Sequence, residues 1–318
     1  MREREALFEN TGRDDIILPF QIDPYGLRGR VVRLGSVIDG ILGRHAYPEA
    51  VSVMLGETAA LAACLAGSLK YEGVFTLQTK GDGPIGVLMA DVTTAGAVRA
   101  YATFDADRVA QLDPADVAAR SVPRLLGGGY IAFTVDQGAN TDRYQGIVEL
   151  SGRTLSECTH AYFQQSEQLD AGVLIAAGRR DDGWRAGGIM VQRLPYSRDL
   201  PGRPSEDEYD DLWRTAVTLM SSARAQELLA ADLAPDQLLY RLFHQEGVRA
   251  YEAQPMTDSC RCSRERVERV LLSLNRDEIE DMKVDGALIV NCEFCKREWR
   301  YDDEALEALR KSAASPGF

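Results

Sequence analysis

Hydrophobic positions along the chain follow two periods. From Pro48, apolar residues recur at helical spacing, with Val51, Met54, Leu55, Leu61, Leu65 and Leu69 on one face. A proline in the opening position that tolerates it completes the pattern of a core helix. The period then shifts to two. Runs at 74–79, 85–92 and 98–104, separated by the turn Gly81-Asp82-Gly83-Pro84 and a turn around Gly96, predict three strands of an antiparallel meander. A second set has strands at 130–135 and 144–150, then a helix from Leu155 capped by Thr154 and Glu157, then strands at 173–178 and from Gly188. Local strand pairing with helices between the sets predicts an α+β fold, an N-terminal domain of antiparallel sheets and packed helices, rather than a doubly wound parallel sheet.

Beyond residue 200 the helical period returns. A helix opens on the capping pair Ser205 and Glu208, and Tyr209, Leu212, Trp213, Ala216, Met220 and Ala223 recur three or four apart. Pro235 opens a second helix with Leu238, Leu239, Leu242 and Phe243 on its apolar side, and Gly247 ends it. Two such helices carry too little apolar surface for a core of their own and must dock elsewhere. Tyr209, Leu212, Trp213, Leu239, Leu242 and Phe243 are the candidates to cover a patch on the preceding domain. The expected organisation is an N-terminal domain at 1–200, a helical linker at 201–256 and a small C-terminal module at 257–318.

Charge and composition narrow the function classes. Lys plus Arg number 36 against 49 Asp plus Glu, a formal net charge of −13, with 45% hydrophobic and 27% charged residues. That balance allows a substantial core and disfavours a phosphate-binding surface, so no nucleic-acid partner is expected. No stretch reads as a membrane span or an export signal, so no membrane partner is expected. Gly127-Gly128-Gly129 precedes a strand with no Gly-Lys-Ser/Thr after it, which lacks the context of a nucleotide loop. His45, His160 and His244 are far apart, and no Ser/His/Asp spacing singles out a nucleophile, so the chain is not expected to be an enzyme.

Four of the six cysteines change the picture. Cys260 and Cys262 form a Cys-x-Cys pair, and Cys292 and Cys295 a Cys-x-x-Cys pair, all close to the C-terminus. Paired cysteines across a longer spacer fit a structural metal site, and four soft thiolates fit zinc, one Zn2+ per reduced chain. A pair of redox-active dithiols without metal is the competing reading of the same residues. Between the pairs, Val267, Val270, Leu271 and Leu274 form a helical stripe, and 287–301 reads as two strand segments around a metal-binding turn. Arg261, Arg264, Lys296 and Arg297 are candidates to hold the thiols as thiolates. Cys64 and Cys158 sit in helical patterns of core type; Cys158 shares its face with Tyr162 and Leu169.

With these features assembled, the sequence resembles the heat-shock protein 33 family, redox-regulated holdase chaperones of the bacterial cytosol. The resemblance rests on RGRVVRL (28–34), LKYEG with LQTKGDGP (69–84), YQGIVEL (144–150), YFQQSEQL (162–169), CRCSRER (260–266) and CEFC (292–295). It implies a cytoplasmic, ATP-independent chaperone that is zinc-bound and inactive when reduced. Oxidation in that family forms disulfides within each pair, here Cys260–Cys262 and Cys292–Cys295, expels zinc, unfolds the linker and uncovers a surface for unfolding proteins. The partners expected are unfolded or aggregation-prone clients, a second copy of the chain on oxidation, and ATP-dependent chaperones downstream. On this reading the six linker residues named above are also candidates to contact clients. Two other functions fit the cysteines less well: a zinc ribbon that binds nucleic acid, against which the acidic balance counts, and a thiol-disulfide oxidoreductase, whose Cys-x-x-Cys ordinarily opens a helix.

Overall fold

A computed structural model of the chain describes residues 14–22, 26–69, 71–138, 143–164, 170–194 and 205–314. Leu169 and the composition change at Pro201 lie outside these. The chain divides into two compact units, Met1–Asp258 and Ser259–Phe318, and the described part of 201–256 belongs to the first.

The first unit opens with strands β1 (Ile16–Ile22) and β2 (Leu27–Leu34), then helices α1 (Ser36–Gly43) and α2 (Glu49–Ala66). The meander β3 (Val74–Gly81), β4 (Ile85–Thr93) and β5 (Ala97–Phe104) follows. Short helices α3 (Ala106–Ala110), α4 (Pro114–Ala118) and α5 (Val122–Leu125) lead to β6 (Gly129–Asp136) and β7 (Tyr144–Glu149). Next come α6 (Leu155–Tyr162), β8 (Ala171–Arg180) and β9 (Gly183–Arg193). Three helices, α7 (Glu206–Ser221), α8 (Ala225–Leu229) and α9 (Pro235–Phe243), precede short strands β10 (Val248–Ala250), β11 (Gln254–Pro255) and β12 (Thr257–Asp258).

Two sheets result. One has the order β10-β1-β2-β9-β8, with β11 also paired to β1, and the other runs β12-β5-β4-β3-β6-β7. The fold is α+β. The second strand set, however, is not one sheet. β6 pairs with β3 and carries β7 with it, extending the meander, whereas β8 and β9 join β2 through a β2–β9 ladder. The pattern along β1 hid this arrangement: Ile16, Leu18 and Phe20 are buried on one side of the sheet and Ile17 on the other, so no polar alternation marks the strand.

α2 runs through the core between the sheets, packing Val51, Leu55, Leu61 and Leu65 among Ile17 and Val32 of the first sheet and Phe75 and Leu77 of the second. By length and composition it could cross a bilayer, contrary to the sequence expectation, yet 89% of it is buried inside the fold, as suits a core helix. Pro48 stands just before the helix in extended conformation rather than inside it. Leu69 lies past its end and is 45% exposed, so it leaves the apolar face it was expected to share. The glycine cluster has a packing role: Gly127, at φ 74°, lies against the turn at 82–83, where the Gly83 amide donates to the Leu126 carbonyl at 2.8 Å.

The outer face of the first sheet is covered by α7, α8 and α9. Leu18, Phe20, Ile22, Leu27, Val31, Ile189 and Val191 meet Tyr209, Ala216, Met220, Leu228, Leu229, Leu238, Leu239, Leu242 and Phe243 in one cluster. Ile16, Leu18, Phe20 and Ile22, alternate residues of β1, would all meet water without this cover; Phe20 stacks on Phe243 with ring centroids 5.8 Å apart. The strap from 248 to 258 then passes from one sheet to the other, β10 and β11 on β1 and β12 parallel to β5, with Met256 buried in the central core.

The second unit comprises α10 (Arg264–Ser273), α11 (Arg276–Asp281), strands β13 (Lys283–Val284), β14 (Ala287–Asn291) and β15 (Glu298–Tyr301), and α12 (Asp303–Ala314). Among the described residues, Leu271, Ile279, Leu288, Tyr301 and Leu306 are buried in one apolar cluster, a small core for a unit of this size. Val267 and Leu274 pack against it from the predicted stripe, but Val270 turns outward and is 60% exposed.

Candidate metal centre and the covered sheet face

Two local structures bring the four cysteines together. Cys260 and Cys262 lie in the irregular segment before α10, whose cap Ser263 accepts a hydrogen bond from the Arg266 amide at 3.3 Å. Cys292 and Cys295 occupy the turn joining β14 to β15, held by hydrogen bonds from the Cys292 amide to the Arg297 carbonyl at 2.9 Å and from the Lys296 amide to the Cys292 carbonyl at 2.8 Å. Lys296 closes this turn at φ 56°, a left-handed position rarely taken by a residue with a side chain.

The sulfurs face one another across the two segments. Cys260 Sγ is 3.7 Å from Cys292 Sγ, Cys262 Sγ is 3.3 Å from Cys295 Sγ, and all four lie within 4.8 Å of one another. None of the chain's cysteines is in a disulfide. A tetrahedral ion with metal–sulfur bonds of about 2.3 Å sets its ligands about 3.8 Å apart, so donor type and spacing both fit a zinc site made of four cysteines. The cluster could hold a metal ion.

Burial and the neighbouring thiols push the Cys262 thiol up, because a second negative charge in the cluster is disfavoured. Burial likewise raises Cys292, opposed by the amides of Cys295 and Phe294, which point at its sulfur. A bound dication reverses this balance and holds coordinating thiols deprotonated. Two of the four cations expected to do so are engaged elsewhere: Arg264 pairs with Glu268 at 2.6 Å and lies over the Tyr301 ring, and Lys296 pairs with Glu293 at 2.9 Å. Cys64 and Cys158 are fully buried, and burial pushes the Cys64 thiol up to about 12, the behaviour of an inert core thiol. His45 stacks on Tyr47, while ring nitrogens of His160 and His244 bond the carbonyls of Ala171 and Tyr240.

The linker candidates fall on the covered face with one exception. Tyr209, Leu239, Leu242 and Phe243 are buried in its cluster and Trp213 packs against it, whereas Leu212 is half-buried and outside it. The Tyr209 hydroxyl donates to the Leu194 carbonyl at 2.7 Å, and Arg193 lies over its ring at 4.4 Å.

Sequence reasoning missed the polar fastening of this cover. Arg33 on β2, only 1% exposed, donates to the carbonyls of Glu227 at 2.8 Å and Leu233 at 2.9 Å, and also to that of Ala230. Arg185 on β9 donates to the Leu229 carbonyl at 2.8 Å and pairs with Asp182 and Asp14. Two sheet arginines thus take up four main-chain acceptors at and beyond the end of α8, where helical carbonyls lack partners of their own. Burial lowers the Arg33 pKa to about 10. The signal in the sequence was weak, since an arginine within a strand reads as a solvated edge until its partners are known.

Comparison with known proteins decides the family. The family model described as Hsp33 protein matches residues 15–302. The chain belongs to the Hsp33 family. It is 40% identical over 294 residues to the 33 kDa chaperonin of Caulobacter vibrioides strain NA1000 / CB15N, covering 91% of this chain and 95% of that protein. It is 36% identical over 305 residues to the 33 kDa chaperonin of Ectopseudomonas mendocina strain ymp, covering 95% and 97%. The crystal structure of the Hsp33 homologue, a 33 kDa chaperonin, from Thermotoga maritima superposes with a TM-score of 0.75 at 24% identity, covering 94% of this chain and 99% of that one. The sheets, the helical cover and the four-cysteine unit are therefore the Hsp33 fold.

Proposed function

We propose that this member of the Hsp33 family is a cytoplasmic, ATP-independent holdase chaperone switched by oxidation of Cys260, Cys262, Cys292 and Cys295. The observation that carries the reading is the sulfur cluster formed by residues far apart in sequence. Zn2+ held there supplies a crosslink between the segment before α10 and the β14–β15 turn. Structural zinc sites contribute on the order of 10–16 kcal/mol in peptide systems, ample to order a unit whose own apolar cluster is small.

Oxidation within the pairs forms the Cys260–Cys262 and Cys292–Cys295 bridges. Each bridge passes two electrons to an oxidant such as a peroxide, and the four sulfurs cease to be thiolate ligands. The new bridges close very short loops in place of one long one, so most of the chain-entropy constraint is given up. Charge does not drive the change: four thiolates with a dication carry two negative charges, and two disulfides carry none. The second unit then loosens, the helices at 206–243 leave the first sheet, and the apolar face with Leu18, Phe20, Val31, Ile189 and Val191 becomes available to unfolding proteins. On this reading the functional parts are the chaperone domain at 1–200, the responsive linker at 201–256 and the redox module at 257–318. A second copy of the chain after oxidation and ATP-dependent chaperones downstream complete the proposed partners.

Light scattering of a heat-unfolding client tests this directly. The oxidised, zinc-free protein should suppress aggregation without ATP while the reduced zinc-loaded protein does not; equal protection by both forms would remove the switch from the account. Salt-sensitive retention of RNA or DNA would favour a zinc ribbon, and turnover of a small disulfide an oxidoreductase.

A further inference from the structure

The first unit contains a cavity of about 490 Å³ that shares Arg193 and Leu194 with the edge of the covered sheet face and is otherwise separate from it. It opens between the two sheets beside the C-terminal end of α2, and its size lies in the range of small-molecule sites. One wall is aromatic: Phe75, Phe133, Tyr162 and Phe163 line it, with the Phe133 and Tyr162 rings stacked 3.9 Å apart. The opposite wall carries Arg28 and Arg30, alternate residues of β2 on the same side of the sheet as the core residue Val32.

Arg30 is held by donation from Nε to the Gly67 carbonyl and from Nη1 to the Gly29 carbonyl, each at 2.7 Å. Among the described residues, neither Arg28 nor Arg30 forms an ion pair with a carboxylate, whereas Arg193 at the same cavity pairs with Asp170 and Asp210. Burial and the like charge of Arg28 both lower the Arg30 pKa. The end of α2 offsets little of this, because a helix C-terminus presents roughly half a negative charge against two full positive ones. Fastening the end of α2 explains Arg30 but neither Arg28 nor the open aromatic space beside it.

We propose that this cavity binds a small organic carboxylate with an apolar body, the carboxylate meeting Arg28 and Arg30 and the body lying against Phe75, Phe133, Tyr162 and Phe163. A partly open cavity of this volume suits a free medium-chain fatty acid. The proposal does not depend on the redox reading, since every lining residue is in the first unit.

The test is isothermal titration of the reduced, zinc-loaded full chain with octanoate and, separately, octanol. Octanoate should saturate one site per chain and bind about tenfold more tightly than octanol. Arg30→Gln should weaken octanoate about tenfold, with a thermal melt to verify folding. Arg28→Gln, at an exposed position, should weaken it roughly threefold and leave octanol unchanged, which keeps the test decisive if Arg30→Gln does not fold. Absence of saturable octanoate binding, octanol binding equal to octanoate, or an unaltered affinity in Arg28→Gln would each overturn the proposal.

Discussion

The Sγ of Cys262 lies 3.3 Å from the Sγ of Cys295, 33 positions further along the chain. With the 3.7 Å approach of Cys260 to Cys292, this means that sulfur contacts run between the two cysteine pairs as well as along them. Reduced protein should therefore carry one zinc per chain. Cys292→Ser should lower zinc affinity by more than the roughly 10–100-fold that outer-shell changes cost, and Cys64→Ser should leave it unchanged. Metal analysis after dialysis against a chelator checks both; zinc lost in Cys64→Ser and kept in Cys292→Ser would refute the ligand set.

Oxidation should nonetheless yield the local bridges. All four sulfurs lie within 4.8 Å, so the pairing within each motif and the pairing across them are both within reach. Only the former gives up the long crosslink. Peptide mapping under non-reducing conditions should recover Cys260–Cys262 and Cys292–Cys295. Dominant Cys262–Cys295 and Cys260–Cys292 bridges would preserve the constraint and contradict the unfolding step.

Arg33 offers a way to loosen the cover without touching sulfur. Its side chain satisfies carbonyls of Glu227, Ala230 and Leu233 in a dry setting, and Arg33→Met leaves those acceptors without their donor. The variant should lose roughly 2–4 kcal/mol of the docking of the 206–243 helices and protect a client partially while still reduced and zinc-loaded. Amide exchange in α8 together with client light scattering checks this, and wild-type values for both would show that the arginine is dispensable.

These fastenings mark where the sequence stopped being legible. The Ser205–Glu208 capping box, the αL stop at Gly247 and the meander turns are local features, readable because their partners lie a few residues away. The cysteine cluster was readable because thiols have so few other uses at that spacing. β1 was not, since Ile16 and Ile17 are buried on opposite sides and erase the two-residue period. Nor were Arg33 and Arg185, whose main-chain partners beneath the cover lie 194–200 and 44 positions away. Val270 shows the converse error: a stripe on a ten-residue helix predicted burial, but the second unit has too little core to cover every member of it.

Glu57 should make the first unit's stability fall with pH. Burial in α2 pushes its carboxyl up to about 8 against the pull of Arg120, from an ordinary value of 4.5. The folded chain thus holds this proton more tightly than the unfolded chain does. The group's contribution is fully present below about pH 4.5 and is lost as pH rises through about 8, by up to a few kcal/mol. Thermal melts of wild type and Glu57→Gln should diverge across that window, with the variant less pH-dependent; the metal site contributes to both and cancels in the difference. Parallel profiles would show that Glu57 stays ionised in the fold.

Hydrogen exchange across 206–243, followed during oxidation of the zinc-loaded protein together with zinc release, tests the central claim most directly. Protection of Leu228, Leu238, Leu239 and Leu242 should collapse in step with zinc loss, and client binding should rise with it, while α2 stays protected. Exchange in these helices unchanged after complete zinc release would contradict the coupling of the sulfur cluster to the covered sheet.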